Sequence, residues 1–508
     1  MAAPREKLAS SLAELKELQS GGRRVFRSKD FSRVHRERLV SNGFLRDVIK
    51  GWLVSSSPAT AEGDTTLWYA SFWEFCARYS EDRFGEAWHL SPEQSLLLHA
   101  ESTVIPAQVI VYAPKGTNNT TQLPFGTSLY DLKQKEMPPA ADLIVRDGMR
   151  LFTPAAALTR GPDSFFQRAP LEAQVALNAI KDASEVLGQL LDGGRSVIAS
   201  RLAGAFRRAD RSELADEIVR SMKSAGYVIR ETDPFTAQQQ MAQLNPGISP
   251  VVGRVRGLWM ATRQTILDNF PKPPGLPKDK KAFLHSVDDI YKSDAYHSLS
   301  IEGYSVTPEL IERVRSGSWS PETNRADKDN RDALAARGYW EAFQHVKASV
   351  TKIIGGENPG RVARVDHRDW YRALFQPSVA AGIIRPGALA GHRNHPVYIR
   401  GSRHVPPRWE SLSDAMSALF DLIEEEKEPA VRAVLAHWLM GYIHPFPDGN
   451  GRMARFLMNA MLASGGYAWT IIRVDDRTAY LRALEAASID LNLAPFSQLI
   501  AGRIGLTE

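Results

Sequence analysis

The chain has 508 residues, 43% of them apolar and 24% charged, with a formal net charge of +5. That is the composition of a soluble globular chain of about two to four domains, and its basic excess is too small for anything but a local basic surface. A single cysteine, Cys76, excludes an intrachain disulfide framework and a cysteine-built zinc site.

One cysteine fits a reducing compartment, so the expected location is cytoplasmic. The N-terminal stretch MAAPREKLASSLAELKELQ lacks the apolar core of a signal peptide. No run reaches the ~18 apolar residues of a membrane span, so no membrane partner is expected.

In chain order, Leu8, Leu12 and Leu15 recur at helical spacing, and Gly21-Gly22 stops that helix. Ser28 reads as the N-cap of a second helix with Phe31, Val34 and Leu39 inward, ended by Asn42-Gly43. FLRDVI and WLVSS flank Lys50-Gly51 as a hairpin. Helix, helix, hairpin is the order of a winged helix-turn-helix module over residues 1–56. Between Arg23 and Lys50 stand nine Lys/Arg against three acids. Arg33, Arg36, Arg46 and Lys50 are the candidate DNA contacts, and a protein partner fits the same cluster equally well.

Residues 57–235 mix strand-like runs (VIPAQVIVYAP, ADLIVRD) with helical ones (LEAQVALNAIKDASEVLGQLL, SELADEIVRSMKSAGY), an α+β pattern. Through RERLVSNGFLRDVIKGWLV and LPFGTSLYDL, residues 20 to about 230 resemble winged-helix regulators of the type IV antitoxin group. Residues 236–282 read as a helical connector ending in the Pro- and Lys-rich loop PKPPGLPKDKKA. From residue 283 to 508 the pattern is strongly helical.

Within that last part lies HPFPDGNGRMAR, His444 to Arg455. Val431, Val434, Leu435, Trp438, Leu439 and Tyr442 form an apolar helical stripe before it; Met453, Phe456, Leu457, Ala460 and Met461 form another after it. The motif is therefore a tight connection between two buried helices. Pro445 and Pro447 cannot continue the first helix, and Asp448-Gly449-Asn450-Gly451 can turn with its N–H groups inward. The N-terminus of the second helix then faces whatever the loop encloses, which is the physics of an anion site. Arg452 and Arg455 share a helical face and suit a polyphosphate. Asp448 could hold Mg²⁺, His444 is a titratable base, and Phe446 is the core anchor.

With every defining position filled, the motif is identified as the signature of Fic-domain proteins, nucleotidyltransferases that mostly move AMP from ATP to a protein hydroxyl. The resemblance covers about residues 283–500. It implies His444 as general base, Asp448 as the Mg²⁺ ligand, Gly449, Asn450 and Gly451 as the anion hole, and Arg452 and Arg455 on the β and γ phosphates. The fold class expected is multidomain: a C-terminal all-α Fic domain with a short β-hairpin flap, preceded by the winged-helix module and an α+β middle region. HPVYIRGSRHVPP, with Val397, Tyr398, Ile399 and Gly401, is placed as that flap, which docks a target segment by strand addition.

SLSIEG resembles the family's inhibitory motif through Ser298, Glu302 and Gly303. The resemblance implies that Glu302 pairs with Arg455 and takes the place of the γ phosphate. The expected function is autoinhibited protein adenylyltransfer, with ATP and a protein target as partners and Mg²⁺ as cofactor. Two alternatives stand beside it: removal of AMP from a modified protein at the same site, and a DNA-binding antitoxin-like regulator with a Fic sensor domain. A homo-oligomer is left open.

Overall fold

In the computed structural model the described residues are the whole chain except 1–3, 60–62, 237–241, 243, 245–246, 319–330 and 506–508. Part of the expected connector over 236–282 thus lies outside the described residues. The chain divides into two compact units: residues 1–239, 243–250 and 398–405 form the first, and residues 240–242, 251–397 and 406–508 the second.

The first unit opens with α1 (Pro4–Leu18), a short strand β1 (Val25–Arg27), α2 (Arg33–Ser41) and the hairpin β2 (Leu45–Ile49) and β3 (Trp52–Ser55). The three strands pair antiparallel in the order β1-β3-β2. Side chains alternate between two cores, as a pleated strand requires. Val25, Trp52 and Val54 pack with Phe72 and Phe75, while Phe26 and Leu53 pack with Leu15, Phe31 and Leu39.

Two local expectations are corrected. Ser28 begins only a three-residue 3-10 turn, and the N-cap of α2 is Ser32, whose hydroxyl accepts the His35 N–H. Val34, expected inward, is exposed because the later start of α2 rotates it outward. The long aromatic helix α3 (Thr66–Phe84) lies across the sheet. Beyond it, a four-stranded sheet holds β4 (His89–Leu90), β5 (Gln108–Ala113), β6 (Asn119–Gln122) and β7 (Ser128–Lys133) in the order β4-β5-β7-β6, with β5 and β7 parallel. A hairpin over residues 143–152 and short helices to Ser224 complete the unit.

The second unit is helical. The loop over 271–279 is pinned rather than free: Tyr467 Oη donates to Pro271 O and Gly275 N–H donates to Gly465 O at 2.9 Å. Next come α4 (Lys280–Ile301), α5 (Arg331–Ile354), α6 (Pro359–Ala380), α7 (Pro429–Ile443) and α8 (Asn450–Ala463). The close approach of α5 and α6 needs Gly338, since a Cβ there would meet Leu374 O at 2.0 Å. α7 and α8 carry apolar residues on nearly every side, and nearly all are buried. That burial holds the loop between them rigid. Among the described residues no helix is long and apolar enough to cross a membrane.

Candidate active site

Helix α7 ends at Ile443, and His444 caps it in the left-handed region at φ 50°, ψ 57°. A non-glycine residue held there costs on the order of 1–3 kcal/mol and is kept only where its surroundings enforce it. The His444 N–H donates to Met440 O at 3.0 Å, and His444 Nδ1 lies 3.2 Å from Gly441 O. A ring nitrogen beside a carbonyl is the one that carries the proton, which leaves the Nε2 lone pair free. Burial pulls the imidazole pKa down to about 4; Gly441 O, Glu302 and Asp448 oppose this, and Arg393 adds to it. At neutral pH His444 is an uncharged base.

The loop then closes on itself. Asn450 Oδ1 accepts the Phe446 N–H at 2.9 Å and Asn450 Nδ2 donates to Phe446 O at 2.8 Å. The Phe446 ring stacks on Tyr371, centroids 4.1 Å apart, as the core anchor. Gly449 starts α8 at φ +80°, and a Cβ there would lie 2.8 Å from the Phe375 ring. The first-turn N–H groups of α8 have no acceptor within the helix.

Arg452 and Arg455 are both buried beside that helix start. Arg452 lies over the rings of Tyr304 (5.2 Å) and Phe375 (5.0 Å), with Asp448 at 3.6 Å. Arg455 Nε donates to Ser298 Oγ at 2.8 Å, and its Nη2 to Ser298 O at 3.1 Å and Glu302 Oε1 at 2.6 Å. Arg452 Nε and Arg455 Nη1 are buried without a hydrogen-bond acceptor. Such unmet donors are costly, and two of them side by side suit an oxygen-rich anion.

The SLSIEG segment ends α4 beside these arginines. Gly303 stops the helix at φ +85°, with its N–H on Ser300 O and the Tyr304 N–H on Leu299 O. Arg477 Nε secures the helix end by donating to Ile301 O at 2.8 Å. The Glu302 carboxylate sits so close to the start of α8 that a Cβ on Gly451 would lie 2.2 Å from its Oε1. Burial pushes the Glu302 carboxyl up, but Arg455, then Arg452, outweigh it and hold the group below the ordinary glutamate range. Burial likewise lowers Arg455, and Glu302 more than restores it. The pair is ionised. Its two halves differ in access: the Glu302 side chain is 29% exposed and that of Arg455 4%. The arginine is fixed in the core, and the carboxylate is the partner that can leave.

Residues 364–462 match the model of the Fic/DOC family. This stretch of the chain is similar to that family. Relatives named protein adenylyltransferase Fic include one from Nematostella vectensis, 29% identical over 230 residues, covering 44% of this chain and 50% of that protein. Another from Drosophila willistoni is 28% identical over 224 residues, covering 43% and 41%. The chain therefore spans about half the length, or less, of these curated relatives. Among solved structures, a C. elegans Fic protein (residues 134–508) overlaps 66% of this chain and 95% of its own at 18% identity and a TM-score of 0.36.

HPVYIRGSRHVPP, expected as a hairpin flap, forms no hairpin: residues 395–407 form no strand pair with each other. Residues 398–405 belong instead to the first unit, where His404 makes an antiparallel bridge with Val104. Ile105 N–H donates to Arg403 O at 2.9 Å and Val405 N–H to Thr103 O at 2.7 Å. Arg400 pairs with Asp64, and Arg24 lies over the Tyr398 ring. Backbone groups that a hairpin would pair locally are thus taken by residues about 300 positions away.

Several members of the basic cluster are paired within the first unit. Arg23 pairs with Asp30, Arg27 with Asp82, and Arg38 donates to Lys7 O and Ser11 Oγ. Of the candidate DNA contacts, Arg33 is bound to Glu37 at an exposed i,i+4 pair, Arg36 and Arg46 are half-buried, and Lys50 is exposed in the hairpin turn.

Three site residues escape sequence reading. Tyr304 directly follows SLSIEG, and its position after a helix-ending glycine is a usable signal. Arg477 and Arg393 have none, since only folding brings them to α4 and to the His444 loop.

Proposed function

We propose that this chain transfers AMP from ATP to a hydroxyl group of a protein, and that Glu302 restrains the reaction. The observation that carries this reading is the Glu302 carboxylate seated on Arg455 at the N-terminus of α8, where an anion belongs. The names of the relatives support it.

The phosphates of ATP lie against the first turn of α8, with Arg452 and Arg455 as cationic clamps whose unmet donors gain acceptors. The substrate hydroxyl gives its proton to His444 Nε2. Its oxygen bonds to the α phosphorus while the bond to the β-phosphate oxygen breaks and pyrophosphate leaves. Positioning and charge neutralisation are what such a transfer requires.

Asp448 is the carboxylate of the loop, with Oδ1 accepting the Gly449 N–H at 2.6 Å and a side chain 64% exposed. Among the described residues no group of three or more His, Cys, Asp or Glu could hold a metal. Asp448 would hold Mg²⁺ as a reachable carboxylate, and the ion would supply positive charge against the phosphates.

With Glu302 on Arg455, a full triphosphate has no place for its last group. The test is ATP labelled at either phosphate, given to Glu302→Gly. Label from the α position should appear on protein and label from the γ position should not. The reverse pattern is phosphorylation and refutes the proposal.

A further inference from the structure

The carbonyl groups at the end of α7 raise a question that the signature motif does not answer. His444 is left-handed, so its carbonyl and that of Pro445 turn away from the helix and need donors of their own. One residue outside the motif supplies them. Arg393 is 3% exposed. Its Nε donates to His444 O at 2.9 Å, and its backbone N–H to Pro445 O at 2.8 Å. The other two arms of the same guanidinium reach His395 O at 3.0 Å and Pro407 O at 2.6 Å. His395 and Pro407 are the two stems from which segment 398–405 departs and to which it returns.

We propose that Arg393 is the positioning residue of this site, fixing the left-handed backbone of His444 and tying it to both stems of the 395–407 segment. This rests on the adenylyltransfer reading above. A planar fork with fixed donor directions suits three carbonyls at once, and a lysine ammonium cannot reproduce it. Its cation also sits at the C-terminal end of α7, where a positive charge is favoured. The charges that bear on the His444 ring are Arg393, Glu302 and Asp448, and Arg393 alone favours the uncharged base. Geometry and charge therefore act together. The carbonyls hold the ring where Nε2 meets the hydroxyl, and the cation keeps it unprotonated.

The experiment uses the full chain carrying Glu302→Gly as parent, with Arg393→Gln and Arg393→Lys added separately. Two quantities are read: kcat and KM for ATP in AMP transfer, and the titration of the His444 ring by NMR, its signal identified by loss in His444→Ala. Arg393→Gln should lower kcat about 10²-fold, the scale of a misplaced catalytic group, with KM for ATP unchanged. Its His444 ring should titrate at higher pH than in the parent. Arg393→Lys keeps the charge and loses the fork, so kcat should fall similarly while the ring titration stays near parental. Should Arg393→Gln fail to fold, Arg393→Lys carries the prediction of lost kcat alone. A folded variant with parental kcat, or one that loses rate only through KM, overturns the proposal. Should the parent itself transfer no AMP, the adenylyltransfer reading fails instead. The ring titration then judges Arg393 by itself: an upward shift in Arg393→Gln supports it, and no shift overturns it.

Discussion

The loop over residues 444–455 and the segment over 395–407 both connect elements of a helical unit, both contain paired prolines and glycine, and both read as functional in the sequence. Only the loop folds as its sequence indicates. Its turn closes locally, with Asn450 on Phe446, His444 on Gly441 and Asp448 on Gly449, while the His444 and Pro445 carbonyls and the Arg455 guanidinium take distant partners. The 395–407 segment has the alternation of a hairpin, yet its backbone is satisfied by Thr103, Ile105 and Arg393. A motif whose turn is closed by its own residues is legible. One whose partners lie far along the chain is not, because its pattern is compatible with several partners.

The largest effect should come from the local loop. In the Glu302→Gly background, His444→Ala should lower AMP transfer 10²–10⁴-fold, the usual worth of a positioned base, with ATP affinity retained. Parental rates in a transfer assay would show that the loop is legible in sequence and misread in chemistry.

Next comes the pair that links the loop to α4. Glu302→Gly should strand Arg455, and losing one member of a buried pair costs about 3–5 kcal/mol, less here because Glu302 is partly exposed. Melting curves should show apo Glu302→Gly below wild type and regaining more stability with Mg-ATP than wild type does. Arg455→Ala added to Glu302→Gly should remove both the ATP-dependent recovery and the gain in transfer. The sign with pH follows from the lowered Glu302 pKa. The pair's stabilisation is present above the ordinary glutamate range and lost as pH falls below that range through the lowered folded value, so the two melting temperatures should converge in acid.

A moderate effect concerns the base. His444 has its pKa lowered to about 4. Transfer by Glu302→Gly should stay level from pH 8 to about 5 and fall only as pH nears 4, whereas an ordinary histidine would lose half its base form near 6.5. A midpoint near 6.5 in the kcat/KM profile, which reports the unliganded enzyme, would contradict the burial argument.

The smallest effect belongs to the distant segment. Thr103→Val removes the contact between Thr103 Oγ1 and His404 Nδ1, 2.9 Å long and buried. It should cost about 1 kcal/mol, roughly 2–4 °C in melting temperature, and leave ATP affinity unchanged. A large loss of ATP affinity would erase the contrast between the two regions.

The same contrast explains how much was legible. His444, Asp448, Gly449, Arg452 and Arg455 stand together at one end of α8, and Ser298 and Glu302 reach Arg455, because helical spacing and a helix-ending glycine are local facts. α3 went unread because Trp68, Tyr69, Phe72, Phe75 and Cys76 bury several of its faces and leave no polar stripe to betray its period. Arg393 and Arg477 were invisible because an arginine states its charge in the sequence and its partner only in the fold. The basic cluster at 23–50 states its charges in the same way, while only the fold shows that Arg23, Arg27 and Arg38 are paired within the first unit.

The central claim is that Glu302 holds the place of a phosphate on Arg455. Intact mass of wild type and Glu302→Gly after incubation with ATP and Mg²⁺ tests it most directly. The account predicts one or more adenylyl groups on Glu302→Gly and few or none on wild type. Unmodified Glu302→Gly that has also lost the ability to remove AMP from a modified protein would contradict it, and would make Glu302 a catalytic residue of the reverse reaction.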